Sequence, residues 1–440
     1  MSYQEKTSIT SFADFRLDPL LERAVKSAGY EIPTPVQAAT IPIALDGRDL
    51  IGTAQTGTGK TAAFVLPILQ HLLTNPCRKP CTRVVVVTPT RELAEQISGA
   101  FRQLGKYTKI RTATVYGGVS MIPQERALRT GAEIIVACPG RLIDHMDRGN
   151  TDLSGVEKLV LDEADRMLDM GFLPSIKRIV EDLPRRRHTM LFSATFAPEL
   201  MQLAAHAMNK PERVDVDICA PPQTIAHALY PCPQHLKTQL VLRLLGETDT
   251  KSVLIFTRTK HRANRVALQI EKAGYGTAAL HSNKSQNQRQ LALDDFRRGR
   301  SQILVATDIA ARGLDVETIS HVINYDIPDT ADTYIHRIGR TGRAEREGDA
   351  MTLITREDNG IVWDIEKALG GPIERRKLDG FDYNAPSTPN TDLRSVAPQR
   401  RPQQPNRPAP AQPATPPKAA KKSTGYFAAR KRAKARGAVV

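Results

Sequence analysis

Long apolar runs are absent from the 440-residue sequence, and no stretch of about 18 apolar residues is available to span a membrane. The opening residues, Met1 to Lys6, also lack the apolar stretch of a signal peptide, so we expect a cytoplasmic protein. Hydrophobic residues nevertheless make up 40% of the chain, which is enough for packed cores. At roughly 150 residues per domain, the length indicates two or three folded units.

Cysteine is also scarce, with five residues in the chain. Only Cys77 and Cys81 lie close together, and neither a second pair nor a set of histidines completes a zinc site. A small, odd and scattered set favours reduced thiols over a disulfide framework. The five are Cys77, Cys81, Cys138, Cys219 and Cys232.

Positive charge is abundant but unevenly distributed. The formal net charge is +15, and the segment from Arg376 onward holds fourteen Lys and Arg against three Asp. The same segment contains ten of the thirty prolines and almost no apolar periodicity, so it cannot bury enough surface to offset its ordering entropy. We expect residues 377–440 to be a disordered basic tail whose cations contact phosphates. A merely solubilising extension is the alternative.

A glycine-rich turn at Gly52 to Thr61 lies between the apolar pair Leu50-Ile51 and a helical pattern over Ala62 to Leu73. A strand that runs through such a loop into a helix directs backbone N–H groups and the helix dipole at a phosphate. Lys60 supplies a cation and Thr61 a hydroxyl for Mg²⁺. The pattern predicts a nucleoside triphosphate site, although Ala54 stands where the usual pattern begins with glycine. A plain glycine-rich turn remains possible on this motif alone.

An acidic cluster, Asp162 to Asp165, follows the strand-like run Lys158 to Leu161. In open α/β sheets the ligand crevice lies outside the carboxyl ends of the strands, which brings this cluster to the edge that carries Lys60. We expect Asp162 to hold Mg²⁺ and Glu163 to orient or deprotonate the water that attacks the γ-phosphate. The alternative is a solvated helix start.

These motifs are joined by others in a fixed order: Pro89 to Ala94 (PTRELA), Ser193 to Thr195 (SAT) and His336 to Arg343 (HRIGRTGR). Together with the acidic DEAD sequence, they make residues 10 to 375 resemble the DEAD-box RNA helicases. The short N-terminal lead and the Pro-rich basic tail look most like the bacterial RhlE-type branch.

The resemblance implies an α/β fold with two tandem RecA-like parallel-sheet domains. We place the N-terminal ATP-binding domain at 1–219, the C-terminal domain at 220–376 and the disordered tail at 377–440. The prolines between Lys210 and Pro233 indicate a linker, with the hinge near Ala220.

ATP is the implied nucleotide, because Gln37 lies in a segment that matches the family's adenine-recognition motif and an amide pairs with adenine through one donor and one acceptor. Phe12 either supports this base pocket or is a hydrophobic staple for a helix over Pro19 to Ala28. Asp315 is expected at the ribose. The full expected cofactor set is Phe12, Gln37, Gly57, Thr58, Gly59, Lys60, Thr61 and Asp315.

RNA contacts are implied for loops at the strand ends, where helix N-termini and arginines suit phosphates. Cys138 departs from the family pattern, in which threonine stands, so one hydroxyl contact is in doubt. The expected RNA set is Pro89, Thr90, Arg91, Gly117, Gly118, Pro139, Gly140, Arg141, Arg258, Thr307 and Gly313. Gln286 and Arg289 form a further motif at a strand end. The resemblance implies that Ser193 and Thr195 couple hydrolysis to strand separation. The alternative is that their hydroxyls only cap a helix.

Arg337, Arg340 and Arg343 are spaced three apart, so a helical segment would project them together. Guanidinium groups suit a phosphoryl-transfer transition state, and the resemblance assigns Arg340 and Arg343 as arginine fingers. A basic helix face for RNA is the alternative.

The sequence thus predicts an RNA-stimulated ATPase that clamps single-stranded RNA and separates short duplexes. ATP and Mg²⁺ are its expected cofactors, and ribosome-assembly or RNA-decay proteins are its possible partners. A non-catalytic RNA clamp and a DNA-translocating helicase are the rivals.

Overall fold

The computed structural model describes residues 9–53, 59–77, 81–215, 225–248, 251–311, 319–342 and 348–386, with the side chain of Ile309 left out. Predictions for Gly57, Thr58, Gly313, Asp315 and Arg343 lie outside these residues. So do the hinge near Ala220 and the expected tail from residue 387 onward.

The first sheet has seven parallel strands in the order β3-β4-β2-β5-β6-β1-β7. Five of its strands have every residue buried, because helices cover both faces of the sheet. The strands are β1 (Leu50–Thr53), β2 (Val84–Val87), β3 (Thr112–Val115), β4 (Ile134–Ala137), β5 (Lys158–Leu161), β6 (His188–Ser193) and β7 (Glu212–Asp215).

Nine α-helices in the described residues accompany this sheet, after a short 3₁₀ turn at Phe12–Phe15. They are α1 (Pro19–Ser27), α2 (Pro35–Leu45), α3 (Lys60–Thr74), α4 (Arg91–Leu104), α5 (Met121–Arg129), α6 (Pro139–Asp147), α7 (Ala164–Asp169), α8 (Leu173–Asp182) and α9 (Pro198–Ala207). Two apolar clusters, one containing Val84 and Val86 and the other Val85 and Val87, show that alternate residues of β2 pack on opposite faces.

The second sheet repeats this arrangement, with parallel strands in the order β10-β11-β9-β12-β13-β8-β14. Its strands are β8 (Ile225–Pro231), β9 (Val253–Thr257), β10 (Thr277–Leu280), β11 (Ile303–Thr307), β12 (His321–Asn324), β13 (Gly348–Ile354) and β14 (Glu374–Arg375). Its helices in the described residues are α10 (Lys237–Glu247), α11 (Lys260–Lys272), α12 (Gln286–Arg297), α13 (Asp308–Ala311), α14 (Ala331–Ile338) and α15 (Asn359–Leu369). Short 3₁₀ turns lie at Gln234–Leu236 and Arg356–Asp358.

The predicted two-sheet α/β fold is confirmed, but the predicted linker from Lys210 to Pro233 is too long. β7 occupies 212–215 and pairs with β1, and β8 occupies 225–231 and pairs with β13. β7 is an edge strand, and its residues alternate between partly buried and exposed. Its sequence therefore resembles the polar residues around it and did not indicate a strand.

Folded structure also continues past residue 376. Leu378, Phe381 and Tyr383 pack against the core of the second sheet, and the Phe381 and Tyr383 rings meet edge to face. The described part of the chain therefore remains packed to about Ala385.

No disulfide bond joins the four cysteines within the described ranges, and the sulfur atoms of Cys77 and Cys81 lie 3.4 Å apart. None of the helices in those ranges combines the length and apolar content that a membrane crossing requires.

Candidate functional site

The end of the predicted phosphate loop contacts α2, the helix that carries Gln37. Gly59 adopts a left-handed conformation with φ 84°, and Lys60 begins α3 and is buried. The Gln37 amide donates to the Gly59 carbonyl (3.0 Å) and accepts from the Thr34 backbone N–H (2.9 Å). A side chain at Gly59 would be strained at this positive φ, and it would begin 2.5 Å from the Gln37 amide nitrogen, so glycine suits this position.

Gln37 is thus part of a capping box with Thr34 at the start of α2, a role that its amide chemistry did not predict. The sequence did carry a signal for it, since Thr34 and Gln37 have the capping-box spacing.

Phe12 is buried, and its ring meets Phe15 and Tyr30 edge to face. These contacts agree with a packing role for Phe12. They do not test its expected place at the base pocket.

The acidic cluster lies where β5 ends and α7 begins. Asp162 and Glu163 are both buried, and the Glu163 backbone N–H donates to the Asp162 carboxylate (3.0 Å). Burial raises the pKa of Asp162 to about 6, against the opposing charge of Lys60. Burial also acts to raise the pKa of Glu163, but the positive charges of Arg166, Lys60 and Arg340 outweigh it and hold that pKa below its ordinary value. The lowered pKa favours the ionised form of Glu163.

Asp165 ties the acidic cluster to the end of β6. Its carboxylate accepts from the backbone N–H groups of Ala194 and Thr195, both at 3.0 Å, and its own backbone N–H donates to the Ser193 hydroxyl (3.2 Å). Ser193 and Thr195 therefore bond the acidic motif rather than cap α9, whose N-terminus has no side-chain cap. This geometry links the two motifs through which hydrolysis is expected to be coupled to strand separation.

A cleft of about 410 Å³ opens between the strand ends of the two sheets. The first domain contributes Lys60, Glu163 and Thr195, and the second contributes Asp308, Asp329 and Arg340 among others. Arg340 is close enough for its charge to act on Glu163. A phosphoryl group in this cleft would meet cations from both domains.

The predicted common helical face of Arg337, Arg340 and Arg343, which was based on their spacing, is not formed. α14 ends at Ile338, so Arg340 lies beyond it, and Arg337 turns into the second domain. The Arg337 guanidinium forms a two-pronged ion pair with Asp308, both contacts at 2.6 Å, and also donates to the Asn324 side chain (3.1 Å). Arg337 is therefore a buried anchor, and the joint projection of all three arginines is wrong. Arg343 lies outside the described residues.

In the first domain, the predicted RNA loops meet at the strand ends of β2, β3 and β4. Thr90 caps α4, and the Arg91 guanidinium fills the space beside Gly118, which has φ 80°. Arg141 of α6 donates to the Val119 carbonyl (3.2 Å), and its guanidinium also approaches Gly117. The arginines of two predicted RNA loops thus converge on the Gly117-Gly118 turn.

Cys138 precedes α6 and is buried, which raises the pKa of its thiol to about 12. It forms no side-chain cap for that helix, whose first residues are Pro139 and Gly140. Pro89, which lies between β2 and α4, is also buried.

Of the second domain's predicted RNA residues, Arg258 and Thr307 lie within the described part of the chain. Thr307 ends β11 beside Thr257, the residue before Arg258. The Arg258 guanidinium donates to the Ile327 carbonyl (3.2 Å) and pairs with Asp329 (3.3 Å), which lines the cleft. Arg258 is thus tied to the wall of the cleft.

A polar contact between the domains was not predicted. Glu92, the neighbour of Arg91, is buried and accepts from Arg289 (2.9 Å) and from the Gln286 amide (3.3 Å), both on α12. Arg91 in turn donates to Gln286 (3.3 Å). The sequence marked Gln286 and Arg289 as a motif, but spacing alone gave no partner across the chain.

Comparison with known proteins agrees with this geometry. The family model "DEAD/DEAH box helicase" matches residues 34–203, and "Helicase conserved C-terminal domain" matches residues 236–345. The chain is 44% identical over 379 residues to the ATP-dependent rRNA helicase RRP3 of Coccidioides immitis, covering 85% of this chain and 79% of that protein. It is 43% identical over 371 residues to DEAD-box ATP-dependent RNA helicase 28 of Oryza sativa, covering 83% of this chain but 46% of that longer protein.

Solved structures of similar fold include S. cerevisiae Dbp5 bound to RNA and ADP BeF3, with 32% identity and a TM-score of 0.75, covering 83% of this chain and 95% of that one. Another is the DEAD-box helicase Mss116 bound to ssRNA and UDP-BeF, with 30% identity and a TM-score of 0.77, covering 84% and 80%. With both domain models matched in order and more than two thirds of the fungal relative covered, this chain belongs to the DEAD-box family of ATP-dependent RNA helicases.

Proposed function

We propose that the chain hydrolyses ATP at the cleft between its two domains, and that single-stranded RNA, by bridging both domains, holds the cleft closed. The observation that supports this most directly is the composition of the cleft, in which Lys60 and Glu163 of one domain face Arg340 of the other. Neither domain alone has the whole set of groups. ATP and RNA therefore bind with positive coupling, because each favours the closed arrangement.

In this mechanism Lys60 and the loop before it hold the phosphates, with Gly57, Thr58 and Gly59 in the cradle. A magnesium ion would supply positive charge that offsets the charge of the nucleotide's phosphates. Thr61 and Asp162 would hold it, and a hydroxyl with one carboxylate fits an ion that keeps several waters and uses substrate phosphates as ligands. Phe12, Gln37 and Asp315 complete the base and ribose pocket.

Glu163 orients the attacking water and accepts its proton. Arg340 and Arg343 stabilise the charge that develops on the transferred phosphoryl group. Because Asp165 bonds the chain after β6, loss of the γ-phosphate at Glu163 is transmitted to Ser193 and Thr195. That segment couples hydrolysis to release of the separated strand.

RNA is held through its backbone by two groups of loops. The first domain contributes Pro89 to Arg91, Gly117-Gly118 and Pro139 to Arg141, and the second contributes Arg258, Thr307 and Gly313. Contacts to phosphates and 2′-hydroxyls select RNA over DNA without reading bases. Cys138 supplies no hydroxyl to this surface.

The limits 1–219 for the first domain and 220 for the start of the second remain part of this proposal. The packing of Leu378 to Ala385 moves the proposed end of the second domain from 376 to about Ala385, and the proposed tail follows it. The similarity to a fungal rRNA helicase supports ribosomal RNA and ribosome-assembly proteins as partners of this chain. RNA-decay proteins and a cytoplasmic location remain predictions. The relatives reported above are fungal and plant proteins, and they give the RhlE-type branch no support.

The test is the effect of Arg340 on turnover and on binding. Arg340→Ala should lower RNA-stimulated ATP turnover by roughly 10³-fold, the effect of an arginine finger, while ATP affinity changes little. Arg340→Lys keeps the charge but loses the planar guanidinium, so its turnover should lie between those of the wild type and Arg340→Ala. Unchanged turnover in Arg340→Ala, or an equal loss of nucleotide affinity, would contradict the proposed cleft chemistry.

A further inference from the structure

Arg166 lies one helical turn after Glu163 and contacts its carboxylate. The distance from Arg166 Nη1 to Glu163 Oε2 is 2.5 Å, and the two side chains are only 9% and 6% exposed. Both residues line the cleft. An ion pair so well shielded from water holds one geometry, unlike a pair on the surface.

The two carboxylate oxygens of Glu163 differ in their surroundings. Oε2 is bound by Arg166, whereas Oε1 is buried and has no hydrogen-bond partner within the described residues. A buried acceptor without a donor is costly, so a water molecule that donates to it would be stabilised there. Oε1 is therefore the atom that is available to receive a proton from the attacking water.

The backbone on either side of this pair is constrained. Glu163 has φ 51° and ψ 53°, a left-handed conformation that is strained for a residue with a side chain. The next residue but one, Asp165, is fixed by the N–H groups of Ala194 and Thr195. The Arg166 backbone N–H also donates to the Asp165 carboxylate (2.8 Å), so the guanidinium projects from a fixed point.

We propose that Arg166 is a positioning residue for ATP hydrolysis: it holds Glu163 Oε2 so that Oε1 is directed at the attacking water. The proposal rests on the proposed role of Glu163. Arg166 does not contact the nucleotide in this role, and it acts on turnover only through Glu163.

The experiment measures ATP turnover and nucleotide affinity of the full chain with saturating single-stranded RNA. Arg166→Met, which is close in length but has no charge and no donor, should lower kcat by roughly 10- to 100-fold, part of what a positioned base contributes. The KM for ATP and the affinity for a fluorescent ADP analogue should stay within about twofold, since only the reacting water loses its acceptor. Arg166→Lys should recover part of the loss. Arg178→Met is the matched control, because that arginine pairs with Asp147 at the surface, and it should match the wild type.

A double variant separates positioning from support of the fold. In a Glu163→Gln background, Arg166→Met should add no further loss of single-turnover hydrolysis, because the residue that it positions is already changed. Losses that multiply would overturn the proposal, as would an unchanged kcat in Arg166→Met. Faster turnover without RNA would also overturn it, since the ion pair would then be a restraint on Glu163. If Glu163→Gln is impaired and Arg166→Met is not, only this inference fails; wild-type turnover of Glu163→Gln would overturn the proposed function itself.

Discussion

Loss of Arg289 should weaken closure of the two domains. Its guanidinium lies 2.9 Å from the Glu92 carboxylate, and the side chains are 12% and 3% exposed. Removing one partner of a buried ion pair costs about 3–5 kcal/mol, because the other charge stays buried without its counterion. In Arg289→Met the Gln286 amide still donates to Glu92, so we take the lower limit, about 3 kcal/mol.

We expect that cost to fall on the closed arrangement, since Arg289 and Glu92 belong to different domains and are in contact there. About 3 kcal/mol corresponds to roughly a hundredfold change in an equilibrium constant. RNA stimulation depends on closure, so the RNA concentration for half-maximal ATP turnover should rise by up to roughly 10²-fold. Saturating RNA should restore part of the turnover, and binding of ADP to the first domain should not change.

The assay is ATP turnover over an RNA titration, for the wild type, Arg289→Met and Arg300→Met. Arg300 pairs with Asp295 at the surface, so its loss should have little effect. Glu92→Gln removes the buried negative charge. In that background, Arg289→Met should raise the RNA concentration for half-maximal turnover by less than it does in the wild type. Equal behaviour of Arg289→Met and Arg300→Met would refute the reasoning.

Three further predictions concern the ATP site, the tail and the stability of the first domain. Lys60→Ala should weaken binding of a fluorescent ATP analogue, whereas Glu163→Gln should keep that affinity, stall hydrolysis and prolong RNA retention; equal affinity losses would contradict the division of roles. If about four of the tail's cations neutralise phosphates, removal of residues 388–440 should flatten the salt dependence of RNA binding by roughly 3 log units per log of salt, and an unchanged slope would mean that the tail only solubilises the chain. Lys158 lies beside His188, and burial lowers its pKa from 10.5 to about 8. Between these two pH values the unfolded chain therefore binds a proton at Lys158 that the folded chain does not. The free energy of unfolding should therefore rise with pH in that window, by up to about 3 kcal/mol, and Lys158→Met should remove the rise; identical pH profiles in chemical denaturation would contradict this.

The fold was most predictable where strands are buried on both faces. Val84–Val87, Ile134–Ala137 and Lys158–Leu161 appear as short runs with apolar centres, because helices cover both sides of a parallel sheet. The edge strand Glu212–Asp215 has alternating exposure and few apolar residues, so only its pairing with β1 defines it. Its position in a proline-bearing stretch made the linker prediction too long.

The meeting of Lys60 and Glu163 in one cleft was predictable from the sequence. Each residue lies in a motif that is contiguous in sequence, and both motifs follow strands of one parallel sheet. The contact between the domains could not be predicted: nothing local to Glu92 indicates Arg289 as its partner. The prediction that Arg337 projects with Arg340 was wrong for another reason. A spacing of three predicts a common face only while the helix continues, and α14 ends at Ile338.

The most direct test of the account is phosphate release by the full chain with single-stranded RNA, with single-stranded DNA of the same sequence, and with neither, after subtraction of the Lys60→Ala background. An ATPase whose cleft is closed by RNA should turn over slowly alone, rise strongly with RNA and respond little to DNA. Equal stimulation by DNA would indicate a DNA-translocating helicase. Turnover at the Lys60→Ala level under every condition would indicate a non-catalytic RNA clamp, and either result would contradict the account.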